Sequence, residues 1–466
     1  MLDQLPEELL ELCAESCSRF ALKTLRRLCK TTKSSATKRL FSQVILKYER
    51  ESALGCLAIM DDRNLRELVT TVTIRTSEPE NRVAGVYRDQ KRGGSQPEFD
   101  QCCKSLGKFA NLRRLEVRHD EDCAQPPMHR WMPESAETIE FRDHVLSNVF
   151  FGLRSVLHPA TKFEDLSISN LQDMYLEDLQ EGYGFKQIMK QLKRLALHIA
   201  TEDPERIWLF WPNRLPADAT VQPRSMVPML QDYFLEDLRV QWLDTTASNI
   251  TSLALYADTY WGVYPACPLA ATHFPHLTEL ALGKYTFAHD KQLDWVFSHR
   301  KTLKSLILDD CPIVHEWYME GGYGEFQPLV FDEDMARPQR EHRKYETRWH
   351  DYLALIKDNL PSLRHFAMGE IHYPRDMSEL AMAKRHELES FCSEQCYRVF
   401  VQGEFKDAWY HDDGIGLPLE DQPMLYDECG PEDGRWRPEY PNCYEEDMKA
   451  LKELVDVFRA RRRPRV

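Results

Sequence analysis

The sequence contains no apolar run long enough to span a bilayer, which takes about 20 consecutive residues. Its first residues, Met1-Leu2-Asp3-Gln4-Leu5-Pro6-Glu7-Glu8, carry early acids where a secretory leader has a long apolar core. The expectation is a soluble intracellular protein, cytoplasmic, nuclear or both, with no membrane partner. A basic excess is also lacking: 60 Lys and Arg stand against 75 Asp and Glu, a net charge of -15. That excludes the basic footprint of a general nucleic-acid binder. No CxxC pair occurs among the 13 cysteines. The closest are Cys13/Cys17, Cys392/Cys396 and the adjacent Cys102-Cys103, which read as buried thiols of a large intracellular chain, not as a disulfide framework or zinc site.

Enzymatic signatures are missing as well. There is no GxxxxGK[ST] loop and no GxSxG elbow. Gly182/Gly184 and Gly321/Gly322/Gly324 read as turns. His342, Glu346 and His350 recur every four residues, but the HExxH pattern is absent and Arg343, Lys344 and Arg348 surround them. They read as a charged, solvated helix face, so no metal and no cofactor is expected. No catalytic residue declares itself, and the chain is expected not to be an enzyme.

What is present begins at the N-terminus. Pro6 with Glu7 and Glu8 behind it suits a first helical turn, where a missing N–H costs nothing and acids meet the positive end of the dipole. Leu9, Leu10, Leu12 and Cys13 follow. Leu22, Leu25, Leu28 and Cys29 recur at three and four residues, as on one helix face. After the break at Thr31–Ser35, Leu40, Phe41 and Val44 form a third apolar cluster. Three short helices bury little by themselves and gain from a partner.

This arrangement resembles the F-box: a start of the form LPxELL, an apolar helix ending in LRRLCK, then RLFSQV. The resemblance covers residues 1–47. It departs from the family at Cys13 and Cys17, where larger aliphatics are usual, and at Ser18-Arg19, which lacks a common proline. In that family the module docks a small Skp-type adaptor that links it to a cullin scaffold. The resemblance implies that Leu5, Pro6, Leu9, Leu22, Leu25, Leu28, Cys29 and Lys30 lie at or beside that interface.

From about residue 110 an apolar-x-x-apolar-x-apolar spacing recurs. It appears at Leu112/Leu115/Val117, Ala136/Ile139/Phe141, Phe163/Leu166/Ile168 and Leu192/Leu195/Leu197. It returns at Leu235/Leu238/Val240, Ile250/Leu253/Leu255, Leu277/Leu280/Leu282, Leu303/Leu306/Leu308 and Leu363/Phe366/Met368. Successive starts from Leu112 to Leu192, and from Ile250 to Leu303, are separated by roughly 20–29 residues, the leucine-rich-repeat range. Leu235 to Ile250 is too short for a full repeat. Long gaps after Leu197 and Leu308 hold insertions, including 208–212 and 317–323.

The expected fold is α/β: a small three-helix F-box followed by an irregular leucine-rich-repeat-like solenoid. Each repeat would add one short strand to a parallel sheet, with helices on the convex side. The stretches FPHLTELALGKYTFAHDKQLDWVFSHRKTLKSLILDDCPI and RWHDYLALIKDNLPSLRHFAMG are similar to F-box proteins of filamentous fungi. On the strand face, alternation points Arg114, Glu116, Arg118, Arg194, His198, Arg239, Gln241, Tyr256 and Asp309 outward, as candidate contacts to a protein substrate. Trp208, Trp211, Tyr260, Trp261 and Tyr264 are either anchors or core.

The domain reading is an F-box over 1–47, a linker or first repeat over 48–110 with a polar loop near 77–98, a repeat body over 111–375 and a C-terminal cap over 376–466. The cap holds an acidic Pro/Gly-rich segment and a last helix with Met448, Leu451, Leu454, Val455 and Phe458 on one face. Acids open that helix, and Arg459, Arg461, Arg462 and Arg463 close it. The function implied is a substrate-recognition adaptor of a cullin-based SCF-type ubiquitin ligase. The alternative is a leucine-rich-repeat interaction scaffold with no ubiquitin link, whose N-terminal helices merely cap the body.

Overall fold

A computed structural model describes residues 5–77, 96–121, 123–124, 137–154, 162–180, 184–201, 232–320, 340–370, 384–392, 396–401, 404–406 and 439–462. The expected polar loop, Trp208, Trp211 and most of the acidic segment lie outside these residues. The chain divides into two units. One comprises Met1–Asp120, Glu134–Ser169 and Leu176–Leu192; the other comprises Glu121–Pro133, Asn170–Tyr175 and Lys193–Val466.

The first unit opens with α1 (Glu7–Glu15), α2 (Arg19–Leu25) and α3 (Lys30–Phe41). Parallel strands β1 (Gln43–Lys47), β2 (Thr71–Arg75), β3 (Arg114–Arg118) and β4 (Asp165–Gln172) then pair in sequence order. Helices α4 (Arg50–Asp61), α5 (Pro97–Lys104), α6 (Ile139–Leu153) and α7 (Phe185–Gln191) belong to the same unit. The register places like on like: Val44 faces Val72, Val72 faces Leu115, and Leu115 faces Leu166. These side chains are buried, because alternate strand positions share one face and that face is apolar.

The second unit holds β5 (Arg194–Ala200), the wide-turn helix α8 (Tyr233–Leu243), β6 (Ser252–Ala257) and β7 (Glu279–Gly283). It continues through α9 (Asp290–Ser298), β8 (Ser305–Asp309), β9 (Ile313–Glu320), β10 (Arg340–Lys344), α10 (Trp349–Asn359) and β11 (His365–Gly369). Then come β12 (Tyr397–Val401), β13 (Glu404–Lys406) and α11 (Tyr444–Arg462). Strands β5, β6, β7, β8 and β11 form parallel neighbours in that order. Leu195, Leu253, Leu280, Leu306 and Phe366 stand in one row across them, and Leu197, Leu255, Leu282, Leu308 and Met368 in the next. A smaller mixed sheet runs β10-β9-β12-β13.

A backbone bond recurs at the entry to the strands. The carbonyl of Ser42 accepts from Thr70 and Thr71, and that of Thr70 accepts from Arg113 and Arg114. In the second unit Lys193 serves Thr251 and Ser252, Thr251 serves Thr278 and Glu279, Thr278 serves Lys304 and Ser305, and Lys304 serves Arg364 and His365. Each new strand is thus pinned at the same point on the one before it, satisfying groups that burial would otherwise penalise.

Two apolar triplets expected as strands are helical. Ile139 and Phe141 lie in α6, and Leu235, Leu238 and Val240 lie in α8. A spacing of three satisfies a helix face as well as the start of a repeat. In α8, Leu238 and Trp242 continue the helical spacing and are buried. This removes the strand that stood too close to Ile250. His342 and His350 do not share a helix face either: His342 is in β10 and His350 in the first turn of α10. His342 Nε2 instead lies 2.6 Å from Glu316 Oε1, a buried carboxylate.

Candidate docking surface on the N-terminal helices

Helix α1 starts behind Pro6, with Glu7 and Glu8 in its first turn. Ser18 caps α2, its hydroxyl accepting the Ala21 N–H at 3.3 Å. Cys29 caps α3 in a reciprocal pair with Thr32, whose hydroxyl also donates to the Leu25 carbonyl at 2.9 Å. Such caps help α2 and α3 form where propensity alone is weak, for α3 is Ser-, Thr- and Lys-rich. The small core between them is Ala14, Leu22, Ala36 and Leu40, with Cys17, Leu25 and Phe41 partly buried against it. Lys38 Nζ reaches Glu11 Oε1 at 2.6 Å, tying α3 to α1, and Arg26 donates to the Thr37 hydroxyl at 3.0 Å.

So little is buried that much apolar surface stays outside. Leu9 is 46% exposed, Leu12 58%, Phe20 82% and Leu28 59%. Four large apolar side chains left in water on so small a module make it a candidate interaction surface. Covering each such side chain is worth about 1.5–3 kcal/mol before the costs of association. Of the residues that the resemblance assigns to an adaptor, Pro6, Leu9, Leu28 and Lys30 are exposed, and Leu5, Leu25 and Cys29 are partly exposed. Leu22 is buried in the module's core and supports the surface from behind. Leu12 and Phe20 were not among the expected contacts. A helical spacing of three from Leu9 to Leu12 was the available signal.

Cys29 stands apart chemically. The hydroxyls of Thr31 and Thr32 stabilise its thiolate and lower its pKa to about 7.

The nine residues expected to contact a substrate do not share one accessible face. Arg114 is exposed, and Glu116 and Arg118 are partly exposed, paired to each other at 2.9 Å. Arg194 is exposed. Arg239 and Gln241 sit on α8 instead of a strand, and Arg239 pairs with Asp244 at 2.7 Å. His198, Tyr256 and Asp309 are buried. Their strand face is packed over: Ala254, Tyr256, Ala281, Ile307 and Ala367 form a cluster against which Leu388 packs. Gly283 leaves the space that the Tyr256 ring fills, and Gly369 does the same for Phe391. Burial in this cluster raises the Tyr256 hydroxyl pKa. Trp261 and Tyr264 are core, while Tyr260 hydrogen-bonds Asp310 and Arg398 at 2.8 Å each.

No helix among the described residues is long and apolar enough to cross a membrane. Comparison with models of known protein families finds no match, and comparison with curated proteins finds none.

Proposed function

We propose that this chain is a substrate-recognition adaptor of a cullin-based SCF-type ubiquitin ligase. The N-terminal helices would dock a Skp-type adaptor, and the body behind them, read as leucine-rich-repeat-like, would hold a protein substrate. The chain would make and break no bond itself. Its contribution is proximity: a tethered target meets the ubiquitin carrier at high effective concentration. The protein would act in the cytoplasm, the nucleus or both.

The observation that carries this reading is the exposure of Leu9, Leu12, Phe20 and Leu28 on a module whose own core is only a few side chains. A mere cap would turn such residues inward. The in-register leucine rows and the recurring strand-entry bond favour a repeat body. For a substrate, Arg114, Glu116 and Arg118 are the better part of the expected surface, because they keep contact with solvent.

The scaffold alternative also has an observation in its favour. Helix α3 runs directly into β1, and the Ser42 carbonyl between them accepts the first strand-entry bonds. Co-purification with a Skp-type adaptor and a cullin separates the two. Wild type should retain both, and Leu9→Ala/Phe20→Ala/Leu28→Ala should lose them while staying folded, since the altered side chains are solvent-facing. Retention of neither by folded wild type would support the scaffold.

A further inference from the structure

The first turns of α10 and α11 converge on one carboxylate. Asp447 is fully buried. Its Oδ1 accepts from the His350 backbone N–H and lies against His350 Nδ1, both at 2.8 Å. Its Oδ2 accepts from the Tyr397 hydroxyl at 2.7 Å and from the Cys443 thiol at 3.4 Å. Cys443 and Asp447 are four apart at the start of α11, so they sit on one face. One ligand atom each from His350, Cys443 and Asp447 lies within 4.8 Å of the others.

We propose that His350 Nδ1, Cys443 Sγ and the Asp447 carboxylate form a zinc-binding site with a fourth position taken by water. A nitrogen, a sulfur and an oxygen donor together suit zinc better than the hard cations, which prefer oxygen alone. At ordinary zinc bond lengths, tetrahedral ligands stand about 3.4 Å apart for N and O and about 3.6 Å apart for S and O. The present separations, 2.8 Å from Nδ1 to Oδ1 and 3.4 Å from Sγ to Oδ2, are to the two different oxygens of Asp447, so loading needs the carboxylate to turn and the imidazole to withdraw by about 0.6 Å from the oxygen it now touches.

The charge and proton balance closes. Zinc displaces the thiol proton to solvent, and the neutral His350 ring carries its one proton on Nε2, leaving Nδ1 free to ligate. Thiolate, carboxylate and Zn2+ sum to zero, which lowers the cost of holding charge in a buried place. On the outer side of the ring, Nε2 lies 3.7 Å from Asp351 Oδ2, within ion-pair reach but beyond hydrogen-bond distance. Tyr397 donates to Asp447 from behind, and its own hydroxyl accepts the Trp349 N–H at 2.8 Å. His350 and Cys443 are each half-buried, which leaves an entry path. Cys392 and Cys396 lie within electrostatic reach of Asp447 and Cys443, so the thiol density here is high.

The test is metal content of the full chain, purified without chelator, given zinc and dialysed, then read by elemental mass spectrometry. A parallel sample takes cobalt and is read by absorption. The expected result is one zinc per chain and a thiolate-to-cobalt charge-transfer band. Cys443→Ser should abolish the band, and His350→Ala should cut retained zinc at least tenfold. Cys443→Ser keeps a hydrogen-bonding group at the site, so it tests ligation apart from folding. A folded wild type that retains no zinc and shows no band would overturn the proposal, leaving the cluster a hydrogen-bonded pin. So would equal zinc in wild type and both variants.

Discussion

Arg142 and Glu137 are both almost completely buried, and Arg142 Nε donates to Glu137 Oε2 at 3.0 Å. Thr76 donates to the other oxygen at 2.5 Å, and Arg142 also reaches the Asp120 carbonyl. His119 lies 3.4 Å from the same carboxylate. Removing one partner would leave the other charge buried and poorly matched. Arg142→Ala is therefore expected to cost about 3–5 kcal/mol of stability, measured as a lower denaturant midpoint. Gly152 is a second sensitive position. A Cβ there would overlap the carbonyl oxygen of Cys103, where α6 passes α5. Gly152→Ala should cost about 1–3 kcal/mol by forcing those backbones apart, and an unchanged melting curve would refute the close approach.

At the scale of elements, repeat spacing of apolar triplets made most of the parallel strands legible, though not at Ala136/Ile139/Phe141, where the spacing is full and Ile139 and Phe141 are helical. Leu277/Leu280/Leu282 and Leu303/Leu306/Leu308 became neighbouring strands in register. The same spacing leads into β1 at Phe41/Val44/Leu46 and into β2 at Val69/Val72/Ile74, but Phe41 closes α3, and Phe41 and Val44 also read as part of the third N-terminal cluster. Leu235/Leu238/Val240 failed for a physical reason: three-residue spacing does not separate a helix from a strand, and tertiary packing of Trp242 and Leu243 decides. The covered strand face was illegible because it depends on the distant segment around Leu388. His350 and Asp447 are likewise joined only by the fold. The terminal helix was readable from its own periodicity, and Leu451, Leu454 and Phe458 are buried. Leu454→Ala should cost about 2–5 kcal/mol, checked by chemical denaturation; a change under 1 kcal/mol would mean that α11 is not a structural part of its unit.

On the scale of the whole chain, buried histidines set a pH dependence. His198, His299 and His315 are each lowered to about 4, chiefly because burial disfavours the charged ring. The unfolded chain takes up protons near pH 6.5, whereas these folded sites resist until about pH 4. Between those values the unfolded state binds more protons, so stability falls as pH is lowered through the window and falls no further from this source below it. Each site contributes a slope of up to about 1.4 kcal/mol per pH unit. Melting temperature measured from pH 7 to 4 should drop steadily, and His198→Gln should flatten the drop.

The ligase reading rests on whether the exposed N-terminal side chains meet a Skp-type adaptor. Isothermal titration of the purified full chain with that adaptor tests this directly, run at several temperatures. We expect saturable binding with a negative heat-capacity change, the sign of apolar burial, and at least a tenfold loss of affinity in Leu9→Ala/Phe20→Ala/Leu28→Ala. No binding by folded wild type, or equal binding by the variant, would contradict it.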